Sequence, residues 1–141
     1  MTLSTFSLKK DSDLYVECEV LASLYRSVLN EEKIVNIFLS DTIRENIKPF
    51  ISENDLLVKA MLISDTKEYS FKVKNNSDLI VICICSDDFD LLVNNDDINC
   101  HLLIKDNIAK ISSCNGTINI NFDDISKDKE HTIFVFFIEK D

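Results

Sequence analysis

The sequence IKPFISENDLLVKAMLI, from Ile47 to Ile63, combines the single proline of the chain with a polar turn and an almost uninterrupted apolar run. Pro49 has no backbone N–H and a fixed φ, so it belongs at a strand edge or in the approach to a turn. The segment Ser52–Asp55 predicts a reversal, because Asn and Asp side chains bond their own backbone. The run Leu56–Ile63, interrupted only by Lys59, predicts a strand that is buried on most of both faces.

Length and composition predict a single domain over residues 1–141, with an N-terminal arm at residues 1–12 that is tied down by Phe6 and Leu8. A chain of 141 residues with 45% hydrophobic content is long enough to bury roughly two thirds of its unfolded surface. The single glycine, Gly116, excludes phosphate-binding loops and dinucleotide-binding turns, since both need several glycines. Turns must therefore be made by Asn and Asp, which cluster between the apolar runs.

The formal net charge of −10 argues against a free-standing nucleic-acid-binding protein, since such affinity comes largely from Lys and Arg. Three alternatives stay open: the chain avoids nucleic acid, imitates it, or belongs to an assembly whose other members carry the basic surface. Five cysteines and no signal peptide predict buried free thiols in a reducing compartment. No apolar run reaches the roughly 20 residues of a membrane span, which predicts a soluble protein.

The first half of the chain predicts two strands. Residues alternate with strand period in Leu14–Leu24, although the Glu, Leu and Ala content leaves an acidic helix open. After a charged break, Ile34–Leu39 is the second strand candidate. The segment Asp41–Asn46 is either its polar continuation or a short helical turn capped by Ser40 or Asp41.

The second half predicts more strands, separated by Asn- and Asp-rich turns. Asn75–Asp78 is predicted to turn the chain into a fully apolar run, and Asn115–Gly116 is the strongest hairpin signal. The predicted strands are Tyr69–Val73, Leu79–Cys85, Phe89–Val93, Ile98–Ile104, Ile108–Ser112 and Thr132–Ile138. The chain as a whole predicts an all-β fold, an antiparallel closed or partly open barrel of eight or nine short strands with at most one or two short helices. Strands that are apolar on both faces indicate cover by other segments or by a partner.

The acidic segment Asp87–Asp97 does not fit a calcium loop. Counted from Asp88, an EF-hand needs Gly at position six and Glu at position twelve, where this chain has Val93 and Asn99. We interpret the segment as a solvated acidic loop.

The cysteines and histidines do not predict a zinc site. Cys83 and Cys85 lack the C-x-x-C turn spacing of zinc ligands, and the adjacent residues Cys100 and His101 lie on opposite faces of a strand. The sequence predicts no metal-binding residue and no cofactor.

A nucleophilic pair of Cys100 or Cys114 with His131 is the remaining catalytic candidate, because such pairs assemble from distant positions. Cysteines within apolar runs are more often inert small hydrophobic residues. No catalytic residue and no cofactor-binding residue is therefore predicted.

Several segments follow the order of apolar and polar residues of one known family. They are Tyr15–Ser23, Ile47–Phe50 with Leu56–Met61, Asn107–Ser112, Ile120–Phe122 and Thr132–Lys140. In this order the chain resembles the eighth-subunit family shared by eukaryotic RNA polymerases I, II and III. It departs from the family at the paired glycines, which fall near Lys105 and Asp106, at the tyrosine-rich strand, which falls on Leu79–Cys83, and at the long loop, shortened to Asp65–Asp78.

The resemblance implies a barrel of OB-like character, a nuclear location and a role in transcription. It implies a non-catalytic structural subunit of a DNA-directed RNA polymerase, hence not itself an enzyme. Its partners would be the largest polymerase subunit and neighbouring subunits in a hetero-oligomeric assembly, without direct nucleic-acid or membrane contact. A negative charge is compatible with the outside of such an assembly.

Two other functions stay open. The first is a free-standing acidic effector or inhibitor, viral or phage, that binds a basic protein surface and is cytoplasmic. The second is a small thiol-dependent enzyme.

Overall fold

The computed structural model describes residues 2–31, 34–64, 68–84, 90–94, 99–103, 107–122 and 132–140. The strands in these ranges are β1 Thr2–Ser7, β2 Ile34–Asn36, β3 Leu56–Ser64, β4 Glu68–Ile84, β5 Asp90–Asn94, β6 Asn99–Leu103, β7 Asn107–Phe122 and β8 Thr132–Glu139. The helices are α1 Asp13–Leu24, α2 Arg26–Glu31, α3 Asp41–Ile47 and a 3-10 helix at Lys48–Phe50. The all-β class is confirmed, whereas the prediction of at most one or two helices is wrong.

The described strands form one antiparallel sheet with the order β2-β3-β8-β4-β7-β5-β6, and β1 pairs with β7. The long strands β4 and β7 change partners along their length. The first half of β4 pairs with the second half of β7, which also pairs with β5, while the second half of β4 lies between β8 and the first half of β7. Among the described residues the sheet is not closed, since β2 and β6 end the order, and this corrects the barrel prediction.

The helices cover one face of the part of the sheet that is formed by β2, β3, β8, β4, β7 and β1. Residues of α1 and α3 belong to the same buried cluster as residues of β3, β4 and β8. Its members include Leu14, Cys18, Ile43, Ile47, Ala60, Leu62, Ile80, Ile82, Phe134 and Phe136. The opposite face of these strands is buried as well, at Met61, Ile63, Leu79, Val81, Ile133 and Val135. The chain itself therefore covers both faces of these strands, without a partner.

The segment predicted as the first strand is helix α1. Ser12 caps the helix by accepting a hydrogen bond from the Tyr15 backbone N–H at 3.3 Å. The buried residues Leu14, Cys18 and Ala22 recur with helix spacing, which decides against the strand alternation. The prediction was wrong because Val16 and Val20 occupy the solvent side of α1, and this hides the helix period.

The segment around Pro49 follows the sequence closely. Ser40 caps α3, which confirms the helical alternative for this region. Pro49 lies in the 3-10 helix that leads to the turn, and the Asp55 backbone N–H donates to the Ser52 carbonyl oxygen at 3.0 Å. The strand prediction for Leu56–Ile63 is confirmed by β3, which is buried on both faces from Ala60 onward.

Two predicted turns are continuous strand instead. β4 runs through Asn75–Asp78 with shifts in register, and β7 runs through Asn115–Gly116, where Gly116 pairs with Val73. Long-range pairing between the two strands overrides local turn preference at both places, and glycine inside a strand often marks a bend or bulge.

The remaining strand predictions are confirmed with shifted ends. The second candidate, Ile34–Leu39, is strand only at β2, while the last one is extended slightly by β8. The N-terminal arm is anchored by pairing with β7, and Leu8 is buried. Asp87–Phe89, Asn95–Ile98 and Cys85 lie outside the described residues, and the single-domain prediction stays a prediction.

None of the helices in the described ranges is long and apolar enough to span a bilayer.

Candidate functional site

A cavity of about 330 Å³ opens where β3 begins, β4 bends and β8 ends, and we call it the bend pocket. Its lining residues are Val58, Lys59, Lys72, Val73, Ser77, Phe137, Ile138 and Glu139. They come from three segments that are far apart in sequence, so only the sheet register brings them together.

Irregular pairing shapes this pocket. In β3, one residue, Val58, separates Leu57 from Lys59 while their partners on β8 are adjacent, which makes Val58 the extra residue of a bulge. In β4 the register shifts between Val73 and Ser77, on the opposite side of the pocket. Bulges bend a strand and redirect side chains, and they recur beside binding sites.

Charge in the bend pocket is opposite to that of the chain. Lys59 and Lys72 contribute two ammonium groups and Glu139 one carboxylate, in a protein whose net charge is −10. The Nζ atom of Lys59 lies 5.5 Å from the ring centroid of Phe137, within range of a cation–π interaction that holds the ammonium group at the rim. Ser77, which is 6% exposed, adds a hydroxyl group that can donate or accept.

The bend pocket therefore offers two cationic donors, one carboxylate, one hydroxyl group and apolar walls. Such a combination recognises an anionic group through the lysines and a short hydrocarbon body through Val73 and Phe137. The sequence predictions missed this site. One signal for it was present, because Lys59 is the single charge in the apolar run of β3.

A second cavity, of about 420 Å³, lies between the end of β1, the start of α1 and α3. Its polar groups already serve the fold. Ser12 caps α1 and donates to the Lys9 carbonyl oxygen at 2.6 Å, and Glu45 forms an ion pair with Lys48 at 2.7 Å. This cavity is a weaker candidate than the bend pocket for that reason.

Behind the bend pocket lies a buried charge cluster. Asp78 follows Ser77, so its side chain lies on the other face of β4. Its Oδ2 atom is 3.9 Å from the Nζ atoms of both Lys110 and Lys140, and Lys110 also donates to the Phe50 carbonyl oxygen at 2.8 Å. The cluster ties β4, β7 and β8 to the 3-10 helix and so fixes one wall of the pocket.

The pairing of Cys100 or Cys114 with His131 is not tested by the described residues. Burial, and secondarily the carboxylate of Glu17, raise the pKa of the Cys18 thiol from 9.0 to about 12, which agrees with an inert buried thiol. Cys100 lies on β6 and Cys114 on β7, while His131 is outside the described residues.

The described ranges contain no group of three His, Cys, Asp or Glu residues that could hold a metal ion.

No family model and no curated protein matches this chain. Solved structures do match it. A prolyl-4-hydroxylase from Pseudomonas putida has a TM-score of 0.56 at 12% identity, covering 99% of this chain and 93% of that one. The ketoisomerase WlaRA from Campylobacter jejuni (TM-score 0.47, 15% identity, 97% and 82% covered) and a cupin 2 domain-containing protein from Halorhodospira halophila (0.45, 12%, 100% and 79%) are also similar. The likeness to the hydroxylase shows the fold, an antiparallel jelly roll.

These findings correct the family prediction. The resemblance to a polymerase subunit is contradicted, because the fold matches that of a prolyl-4-hydroxylase and not the expected OB-like barrel. The transcription role and the prediction of a non-catalytic subunit both rested on that resemblance and are corrected with it, since the fold matches that of a hydroxylase. The nuclear location and the hetero-oligomeric partners were not tested and stay predictions.

An iron centre does not fit the described residues. Non-haem Fe(II) oxygenases hold the metal with two histidines and one carboxylate. This chain has two histidines in total, His101 on β6 and His131 outside the described residues, and the bend pocket is lined by neither. We therefore derive no chemistry through iron.

Proposed function

We propose that this protein is a jelly-roll binding protein whose bend pocket holds a small organic anion. The observation that carries the proposal is the placement of Lys59 and Lys72 on one cavity beside the buried Ser77, in a chain with a net charge of −10. Most of this chain's charge repels anions, so two ammonium groups on one concave surface are a local exception.

The size and lining of the bend pocket define the ligand class. A volume of about 330 Å³ is at the lower end of the range for small-molecule sites. The ligand is therefore a compact carboxylate or phosphate ester. Its apolar part lies against Val73 and Phe137 while its anionic group accepts hydrogen bonds from the lysines.

Thermal unfolding in the presence of candidate ligands tests the proposal. The panel contains succinate, 2-oxoglutarate, inorganic phosphate and a sugar phosphate, with glucose as the neutral control. A ligand at about 100 times its Kd stabilises the native state by about 2.7 kcal/mol, which raises Tm by roughly 10 °C. Proton NMR of the same samples reports any turnover of the bound ligand.

Variants assign the binding to the bend pocket. Because both lysines are exposed, Lys59→Gln and Lys72→Gln should each weaken binding by about three- to ten-fold, and the double variant by more. Lys10→Gln, an exposed lysine outside the pocket, is the matched control and should bind normally. Equal affinity in the control and the double variant, or no stabilisation by any charged member of the panel, would overturn the proposal.

A further inference from the structure

Helices α1 and α2 carry a row of exposed apolar side chains. Val16, Val20, Leu24 and Val28 are 46%, 49%, 69% and 41% exposed, and they recur every four residues. Tyr25, the C-cap of α1, separates the two helices, and its N–H donates to the Leu21 carbonyl oxygen at 3.0 Å. We call these four residues the outer stripe, of which the part on α1, from Val16 to Leu24, extends over about 12 Å.

The outer stripe differs from scattered surface residues. The opposite side of the same helices is buried in the core at Leu14, Cys18, Ala22 and Leu29, so the helices are apolar on both sides. A helix that is apolar all round is normally covered all round. Single exposed apolar residues are common, whereas a continuous apolar row marks an interaction surface.

Charge beside the outer stripe selects the kind of partner. Asp13, Glu17 and Glu19 are the charged residues of α1, and the helix contains no Lys or Arg. With helical spacing, Glu17 lies on one side of Val20 and Glu19 on the other. Along α1, from Val16 to Leu24, this surface is apolar in its middle and acidic on both sides, whereas α2 adds the basic residue Arg26. The α1 part is complementary to an amphipathic helix with basic borders.

The same charges argue against a second copy of this chain. A two-fold antiparallel pairing centred on Val20 would place the two Glu19 residues about 3 Å apart along the helix axis. Two chains with a net charge of −10 also repel each other.

We propose that the outer stripe docks an amphipathic helix of another protein, with apolar residues along one face and Lys or Arg on both borders. The site is separate from the bend pocket and independent of the function proposed for it. A ridge formed by residues four apart packs into the groove between similar ridges on the partner helix, with the two helices crossing at an angle.

Two synthetic helical peptides of the same length test the proposal by fluorescence anisotropy with the full chain. Both carry leucines four residues apart, bordered by lysine in one peptide and by glutamate in the other. We expect binding of the lysine peptide alone, weakened by added salt but not abolished, since the apolar contact remains. Binding of neither peptide, or of both equally, would overturn the proposal.

Variants separate docking from general attraction of a basic peptide to an acidic protein. Val20→Asp should weaken binding by about ten-fold or more, and Glu19→Lys by about three-fold or more. Glu53→Lys makes the same charge change on an exposed turn away from the helices and should leave binding unchanged. Equal losses in Glu19→Lys and Glu53→Lys would show non-specific attraction and contradict the proposal.

Fold and self-association are checked in the same series. Circular dichroism and a cooperative urea unfolding transition show that Val20→Asp is folded, and Val20→Ser replaces it if it is not. A dimer of the natural chain that Val20→Asp dissociates would assign the outer stripe to a second copy and overturn the proposed partner. Sedimentation analysis makes this measurement.

Discussion

Removing the ammonium group of Lys110 should destabilise the fold more than removing that of any exposed lysine. The Asp78 carboxylate that it faces is 1% exposed, whereas Lys110 and Lys140 are 16% and 31% exposed. The most deeply buried charge of the cluster is therefore the carboxylate. A variant that takes away a cation leaves this charge buried with less compensation, which is costly in a protein interior.

The geometry sets the magnitude. At 3.9 Å and an effective dielectric of about 20, each Asp78–lysine pair attracts with about 4 kcal/mol, most of which offsets the desolvation of the charges. We expect Lys110→Met to cost about 2–3 kcal/mol, since the Phe50 carbonyl also loses its donor. Asp78→Asn should cost about 1–2 kcal/mol, and Lys140→Met less than about 1 kcal/mol because that lysine is the most solvated.

Urea unfolding measures these costs as shifts in midpoint at constant m-value. The double variant Asp78→Asn/Lys110→Met should be about 1–2 kcal/mol more stable than the summed losses of the two single variants predict, since both changes remove the same interaction. Lys48→Met is the control, because its pair with Glu45 is mostly exposed and worth less than about 0.5 kcal/mol. A Lys110→Met variant as stable as the control, or additive single and double variants, would refute the reasoning.

Two further predictions concern the core. The folded pKa of Cys18, about 12, exceeds its ordinary value of 9.0, so the native chain keeps a proton that the unfolded chain loses as the pH rises. Stability should fall from about pH 9 to 12 by up to about 1.4 kcal/mol per pH unit, and urea unfolding of Cys18→Ala should lack this part of the fall; an identical pH profile would contradict it. Phe136→Ala, at a fully buried ring, should cost about 3–5 kcal/mol, while Phe38→Ala, 79% exposed, should cost less than about 0.5 kcal/mol in the same assay. Comparable losses in both would place the core elsewhere.

The sequence predictions failed where a local residue pattern does not show which side chains are buried. In α1, exposed Val16 and Val20 imitate strand alternation, and only the burial of Leu14, Cys18 and Ala22 reveals the helix. The family resemblance failed for a related reason, because short apolar runs in a similar order occur in unrelated β-folds.

The candidate site was beyond local reasoning. Lys59 is notable in the sequence as a charge within an apolar run, but Lys72 belongs to an ordinary polar–apolar alternation and Ser77 to a predicted turn. Their common cavity depends on a bulge in β3 and on the bend of β4, which arise from pairing with distant strands. Local propensity does not contain this information.

The sequence by itself determined the antiparallel β class, the strands β3 and β8 and the polar turn after Pro49, because apolar runs and turn residues act locally. Tertiary structure decided the rest. Asn75–Asp78 and Asn115–Gly116 have turn chemistry, yet β4 and β7 continue through them because the two strands pair with each other on both sides of the register shifts. The pairing of β4 with β7 connects β8 on one side to β5 on the other. It helps to position Lys59, Lys72 and Ser77 around one cavity.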